Sequence, residues 1–353
     1  MKWIACSLFL LSGIVAQGQV HERVRVLLLE DTTTPPKYDT SYVKSYRNNV
    51  VVSLVTAYAD ASIDLSDTNG HELAYTTNNA ERYGFGLNYK WLSAEFTFGV
   101  PLLDAPDPAL GKTTSRGFGL GMTGRRIWAR LGWSEHSGFY LENTREILPG
   151  SDGTDPLIVR RDLEDRHFVG TFDYAFNFKR RYSQNATLYQ MERQKRSAGT
   201  LIAGASIWNT RIRADSSLVP FALLDTFPSE ARFTELRRWI VGTNIGYTHT
   251  FSFWKKGFIN AAVVPGFSVQ FLRLQSAEGV GTDHTTPGGS LAIRMGAGFN
   301  GDRWYTALTM NVLVHSGMAS EAVQLSLMQA WARFAIGIRF PGPNWHRLER
   351  WGL

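Results

Sequence analysis

Hydrophobic and polar residues alternate with a period of two along much of this chain, which is typical of β-strands and not of helices. Tyr83, Phe85 and Leu87 share one face of an extended segment, while Gly84 and Gly86 share the other. The same alternation returns later, at 94–100, 117–134, 168–178, 239–248, 291–300 and 332–340. The pattern therefore predicts an all-β chain.

The two faces of these strands differ sharply in composition. One carries large rings and aliphatic side chains, and the other carries glycine with isolated polar or charged residues. A soluble sandwich keeps its large apolar side chains inside, whereas a membrane barrel turns them toward lipid and lines its lumen with polar groups. We therefore predict a closed antiparallel transmembrane β-barrel. A periplasmic β-sandwich with an aromatic core is the alternative.

Twelve segments have the length and alternation of a membrane-crossing strand, and an even number is usual for a bacterial barrel. Their predicted bounds are 47–58, 82–91, 94–101, 116–123, 126–135, 166–178, 199–211, 237–252, 258–273, 288–300, 303–316 and 322–340. The predicted count is about twelve, within a range of ten to fourteen. The upper value would apply if Ile63–Leu65 and Leu73–Tyr75 added another hairpin.

The predicted connections sort by length when both termini are placed in the periplasm. Short turns are expected on the periplasmic side, at 92–93, 124–125, 253–257 and 301–302. Long loops are expected outside, at 59–81, 102–115, 136–165, 212–236 and 274–287, with 317–321 as one short outer loop. Short periplasmic turns with long outer loops are the usual asymmetry of such barrels.

Composition agrees with this reading and excludes several others. Of 353 residues, 44% are hydrophobic, 13% are aromatic and only 19% are charged, which argues against a disordered chain. One cysteine excludes a disulfide scaffold or a cysteine-rich metal site. A net charge of +6 without a clustered basic face gives no indication of nucleic-acid binding.

The N-terminus predicts export. Residues 1–18 combine Lys2, an apolar stretch and small residues before Gly18, as a secretory signal peptide does. We expect 19–45 to form a periplasmic N-terminal segment, 46–340 the barrel and 341–353 a C-terminal tail. The predicted location is the outer membrane, with outer-membrane lipid and the barrel-assembly machinery as partners. The last strand, which ends at Phe340, resembles the signal that this machinery recognises.

One strongly basic segment, 179–198, interrupts the pattern where a short periplasmic turn is expected. It could fold inward as a polar plug whose cations meet lumen carboxylates such as Glu95 and Asp173. It could instead sit on the periplasmic face against anionic lipid or a periplasmic or envelope protein partner. An ordinary solvated linker is the third interpretation.

The same segment resembles the signature of the domain of unknown function 4421 family. The residues that carry the resemblance are Gln190, Glu192, Gln194, Lys195, Ser197 and Gly199. Residues 38–43, 84–91 and 215–220 resemble the family as well, so the similarity extends over roughly 38–340. The resemblance implies an outer-membrane barrel of the Bacteroidota and brings no assigned activity.

Candidate chemistry is sparse. The eight histidines show no metal-binding spacing and no nucleotide loop is present, so we expect neither a metal nor a cofactor. His136-Ser137 and His315-Ser316 could suggest a lipid-modifying hydrolase. Adjacent strand residues point to opposite faces, however, so neither pair is placed for proton transfer and no enzyme is expected. These histidines are interpreted as solvated or interfacial.

The charges on the predicted lumen face are the remaining candidates. By strand parity the candidates are Lys90, Glu95, Arg130, Asp173, Arg294, Arg333 and Arg339. They could form a mixed-sign network that stiffens the barrel, or an arginine-biased path for small anions. We therefore expect a narrow solute-passage or structural barrel. The alternatives are a partner-docking barrel that uses 179–198 and a lipid hydrolase.

Overall fold

The computed structural model describes most of the chain between residues 38 and 342. The described ranges are 38–59, 62–78, 81–100, 106–148, 150, 153–277, 279, 281–315, 323–326 and 329–342. The predicted signal peptide, residues 19–37 and the tail from 343 onward lie outside them.

Within the described residues, twelve antiparallel strands close into a barrel, which confirms the predicted architecture and strand number. Each strand pairs with its neighbour in chain order, and the last pairs with the first. The barrel strands are β2 (Asn49–Ala59), β5 (Glu81–Tyr89), β6 (Leu92–Phe98), β7 (Thr114–Thr123), β8 (Ile127–Leu141), β9 (Val159–Ala175), β11 (Ala198–Arg213), β12 (Phe233–Phe253), β13 (Gly257–Ser276), β14 (Gly281–Asn300), β15 (Trp304–His315) and β17 (Gln329–Pro341).

Five shorter strands lie outside this closed sheet. They are β1 (Val43–Ser45), β3 (Ile63–Asp67), β4 (Glu72–Thr76), β10 (Glu192–Gln194) and β16 (Val323–Ser326). The hairpin β3–β4 does form, but it pairs with β16 and with the end of β8 and is not part of the barrel wall. The possibility of fourteen barrel strands is therefore wrong.

Several predicted connections shift because strands run further than expected. The segment 274–287 is not a long loop, since β13 and β14 continue to Ser276 and from Gly281. The segment 136–165 shrinks to 142–158, which includes the short helix α1 (Thr144–Ile147). We call the end of the barrel with the long connections the loop end and the other the turn end.

The outward face of the barrel is apolar, as the alternation predicts. Phe85 is 61% exposed, Phe267 is 80% exposed and Ile245 is 58% exposed, although all three are large hydrophobic side chains. Such a continuous apolar surface is the signature of contact with lipid. No helix in the described part of the chain is long and apolar enough to cross a membrane.

A cluster of buried apolar residues lies at the loop end. Leu163, Leu236 and Leu274 extend the inner face of the long strands and pack against the hairpin β3–β4 and residues 214–231. Leu65 and Leu163 have no exposed surface. The loops at this end are therefore packed against the barrel.

The turn end is filled differently. The chain leaves β9 and folds back into the barrel mouth over 177–197 before it enters β11. Within this plug, residues 182–187 are buried, and β10 pairs antiparallel with β1. We call 177–197 the plug and residues 38–46, which lie against it, the clasp.

Candidate lumen site and plug

A chamber of about 260 Å³ lies inside the barrel. Leu188 and Tyr189 of the plug form part of its wall at the turn end. Among the described lining residues, four arginines and two carboxylates are charged at neutral pH. They are Arg82, Arg130, Arg294, Arg333, Glu95 and Asp173. The excess of guanidinium groups makes the chamber a favourable place for an anion.

Glu95 is the centre of this charge cluster. Its Oε2 atom accepts a hydrogen bond from Nε of Arg333 at 2.6 Å, and Arg82 and Arg130 line the same chamber. Arg82 is only 8% exposed, and its Nε and Nη1 atoms have no hydrogen-bond partner among the described residues. Within the described part of the chain, Glu95 is thus paired with Arg333 alone, and the guanidinium donors of Arg82 are left available for a second anion.

Asp173 and Arg294 form a separate pair across the lumen. Arg294 donates from Nη1 to Oδ2 of Asp173 at 2.7 Å and from Nη2 to Oδ1 at 3.3 Å. This paired arrangement satisfies both groups. The free positive charge of the chamber is therefore concentrated near Glu95, at Arg82 and Arg130.

Glycine on the lumen face makes room for these long side chains. A Cβ atom on Gly117 would lie 2.7 Å from Nη1 of Arg82, closer than atoms can approach. At this position glycine leaves room for the Arg82 guanidinium group, which a larger residue would shift.

Sequence reasoning missed a row of polar residues beside the chamber. Ser115, His136 and Asp165 occupy directly opposite positions on three neighbouring strands and are all buried. The Nε2 atom of His167 lies 2.5 Å from Asp165, so that carboxylate is paired, while Nδ1 of His136 has no hydrogen-bond partner among described residues. The interpretation of His136 as a solvated loop histidine is wrong, because β8 continues to Leu141.

The plug is held by one buried ion pair and by hydrogen bonds to its backbone. Glu192 is 1% exposed, lies 2.9 Å from Nη2 of Arg125 and accepts a 2.5 Å hydrogen bond from Ser183. Arg339 donates to the carbonyl oxygen of Gln190 at 2.5 Å and to Oδ1 of Asn300 at 2.6 Å. These contacts tie the plug to the barrel wall.

The clasp lies outside the plug and is joined to it by charge. Asp302 accepts hydrogen bonds from Lys44 at 2.6 Å and from Tyr46 at 2.7 Å, and it lies 3.1 Å from Nη1 of Arg193. The hydrogen bond from Lys44, followed by that from Tyr46, holds the pKa of Asp302 well below its usual range. Burial and the nearby Asp302 raise the pKa of Tyr46.

The predicted lumen residues separate into three places. Glu95, Arg130, Asp173, Arg294 and Arg333 line the chamber. Lys90 does not, because the chain turns there with φ 49°. Arg339 holds the plug at the turn end.

The predicted pairing of plug cations with lumen carboxylates is wrong. Glu95 and Asp173 are paired with Arg333 and Arg294 of the barrel wall. The plug cations instead contact groups at the turn end: Arg181 lies 3.1 Å from Asp39, Lys195 donates to the carbonyl of Thr40, and Arg193 lies 3.1 Å from Asp302. The buried interior of the plug favours uncharged groups, because an unpaired buried charge is costly.

The residues that carry the family resemblance build the plug and its attachment. Gln190, Glu192 and Gln194 are buried, and Gln194 accepts from the Ser183 backbone N–H at 2.9 Å. Lys195 is exposed; Ser197, also exposed, accepts from the Ser252 backbone N–H, and Gly199 lies in β11. No group of three metal-ligating residues occurs in the described part of the chain.

Known structures with a similar backbone are barrels from several bacterial outer membranes. The outer membrane protease OmpT from Escherichia coli has 8% identity and a TM-score of 0.36, covering 84% of this chain and 98% of that one. The translocator domain of autotransporter NalP from Neisseria meningitidis has 10% identity and a TM-score of 0.34, covering 93% and 98%. These values carry no argument about function.

Two further comparisons concern the sequence. The search of curated proteins finds no match. The family described as domain of unknown function 4421 matches residues 37–340, from just before the clasp to the end of the last strand.

Proposed function

Because the chain belongs to the domain of unknown function 4421 family, whose name assigns no activity, we propose its function from geometry: a plugged outer-membrane barrel that passes small anionic solutes. The observation that carries this proposal is a chamber whose described lining residues include four arginines and two carboxylates, in which the two carboxylates are paired with Arg294 and Arg333. A lumen with surplus guanidinium groups favours anions.

Selection is expected to be strong because the charges line a small chamber of about 260 Å³ inside the barrel. Unit charges 4 Å apart interact by about 4 kcal/mol at an effective dielectric constant of about 20, against about 1 kcal/mol in water. Arg82 and Arg130 carry this selection. Arg294 and Arg333 are already paired with Asp173 and Glu95.

Passage requires the plug to move. The plug contributes Leu188 and Tyr189 to the chamber wall, and a buried ion pair and backbone hydrogen bonds hold it in place. We therefore place the gate at the turn end. In this proposal a signal or a partner that loosens the clasp would release the plug.

A partner-docking barrel is the second candidate. It is favoured by the exposed cations of the plug surface, including Lys179, Arg180 and Arg196, which face away from the lumen. In that case the plug would be permanent and the basic surface would bind an acidic periplasmic or envelope protein.

Planar-bilayer recording of the purified barrel tests the first proposal and separates it from the second. Replacing 182–191 by a glycine-serine linker of equal length should convert rare, brief openings into sustained conductance. Lys179→Gln, an exposed change in the same plug, should leave the recording unchanged. A barrel that folds but stays silent without its plug would contradict solute passage and favour docking.

A further inference from the structure

A row of charged residues crosses the outward face of the barrel near the loop end. Its members occupy directly opposite positions on neighbouring strands from β7 to β14. In order around the barrel they are Arg116, Glu135, Arg166, Arg211, Arg237, Arg273 and Asp283. We call this the arginine row.

A row of rings lies immediately beside it, two residues nearer the turn end on five of the seven strands; β11 and β14 carry Asn209 and Thr285 there. The rings are Phe118, Trp133, Phe168, Trp239 and Phe271. Aromatic side chains collect where the hydrocarbon of a membrane meets the headgroups. The arginine row therefore follows the edge of the apolar surface at the level where lipid headgroups begin.

Four arginines are consecutive in the row, from Arg166 to Arg273. Directly opposite like charges are destabilising in a sheet, and neighbouring strands are only about 4.8 Å apart. Such a run requires compensating negative charge close by.

The carboxylates of the protein supply only part of that charge. Glu135 is shared by Arg116 and Arg166, at 2.6 and 3.3 Å, and Arg166 also lies 3.1 Å from Glu164. Glu235 is shared by Arg211 and Arg237. Arg273 reaches Asp283 only at 3.6 Å and is 64% exposed in its side chain. Guanidinium donors thus remain available on the lipid-facing surface.

We propose that the arginine row binds phosphate groups of lipid in the leaflet at the loop end. Guanidinium groups bind phosphate in a bidentate manner, and a row of them can contact more than one phosphate of the same headgroup. The site lies outside the lumen, so it is distinct from the chamber and does not depend on solute passage.

The test compares lipid binding by matched variants in detergent. Purified barrel is incubated with lipid A, which carries two phosphates, and with enzymatically dephosphorylated lipid A. Bound lipid is counted by native mass spectrometry. The variant R211Q/R237Q/R273Q should bind lipid A at least tenfold less than the wild type does. Wild-type protein should bind dephosphorylated lipid A no better than the variant binds lipid A.

Two controls keep this result interpretable. K179Q/R180Q/K255Q removes three positive charges from the opposite end and should bind lipid A as the wild type does. R211K/R237K/R273K keeps the charge without the bidentate geometry and should bind at an intermediate level. Heat-modifiable gel mobility verifies folding of each variant. Equal lipid A binding by wild type and the glutamine variant, or no preference for the phosphorylated lipid, would overturn the proposal.

Discussion

The two ends of the barrel both contain buried side chains, but of opposite chemistry. At the loop end, Leu163 and Leu236 belong to an apolar core in which packed loops cover the inner face of the strands. At the turn end, the buried plug residues are mainly uncharged polar groups around the Glu192–Arg125 pair. This difference between apolar and polar contacts indicates which end can open.

Returning apolar surface to water costs about 25 cal/mol of free energy for each Å². Every part of an apolar core is therefore costly to separate. Hydrogen bonds in a polar plug are exchanged for hydrogen bonds with water, and the net loss per bond is only about 0.5–1.5 kcal/mol. The plug can therefore separate at a lower cost per contact than the apolar core, and the Glu192–Arg125 pair is its most costly single contact to break. The turn end is thus the movable one.

The largest expected effect comes from breaking that ion pair. Glu192→Gln leaves Arg125 without its carboxylate, and removing one partner of a buried pair costs about 3–5 kcal/mol. We expect protease cleavage within 179–198 to rise strongly in the folded barrel. Arg196→Gln, an exposed change in the same plug, should not raise it. Unchanged cleavage in the Glu192 variant would mean that another contact holds the plug.

A cavity in the loop-end core should cost a comparable or smaller free energy, and it should loosen only that end of the barrel. Leu163 is fully buried, and Leu→Ala substitutions in such cores cost about 2–5 kcal/mol. Leu163→Ala should increase hydrogen exchange in β3 and β4 while cleavage of the plug stays at the wild-type rate. Equal loosening of both ends would show that they are coupled and would remove the contrast.

The alternation of residues predicts the barrel because each strand has one lipid face, and this constraint is local. It also predicts Glu95 and Arg130 on the inner face, and both line the chamber, since both lie inside regular strands. Lys90 fails because the alternation does not mark where β5 ends, and the turn begins at that residue.

His136 fails for a different reason. A register shift between Ser137 and Phe139, with Gly138 at φ 86°, interrupts the alternation of β8. The strand continues beyond the irregularity, but its pattern does not. The plug cations fail because partner choice depends on long-range contacts: nothing in the sequence shows that Glu95 is already paired with Arg333.

The smallest expected effect concerns the clasp and its pH dependence. The pKa of Asp302 is lowered from 3.8, so its contribution to stability is complete above that value and is lost as the pH falls through the lower folded-state pKa. Exposed ion pairs contribute about 0.2–1 kcal/mol. Hydrogen exchange at 42–46, corrected for its intrinsic pH dependence, should stay constant from pH 7 to 5 and increase below about pH 4.

Asp302→Asn provides the comparison for that measurement. This variant should show slightly faster exchange at neutral pH, without the additional increase in acid. An increase that begins near pH 6 in the wild type would point to a histidine and not to Asp302.

The reversal potential of the plug-replaced barrel tests the central claim most directly. Under a potassium chloride gradient, the account predicts that chloride is the more permeant ion. Arg82→Gln with Arg130→Gln should bring the reversal potential close to zero, whereas Lys179→Gln should leave it unchanged. A cation-selective lumen, or anion selectivity that survives the loss of both arginines, would contradict the account.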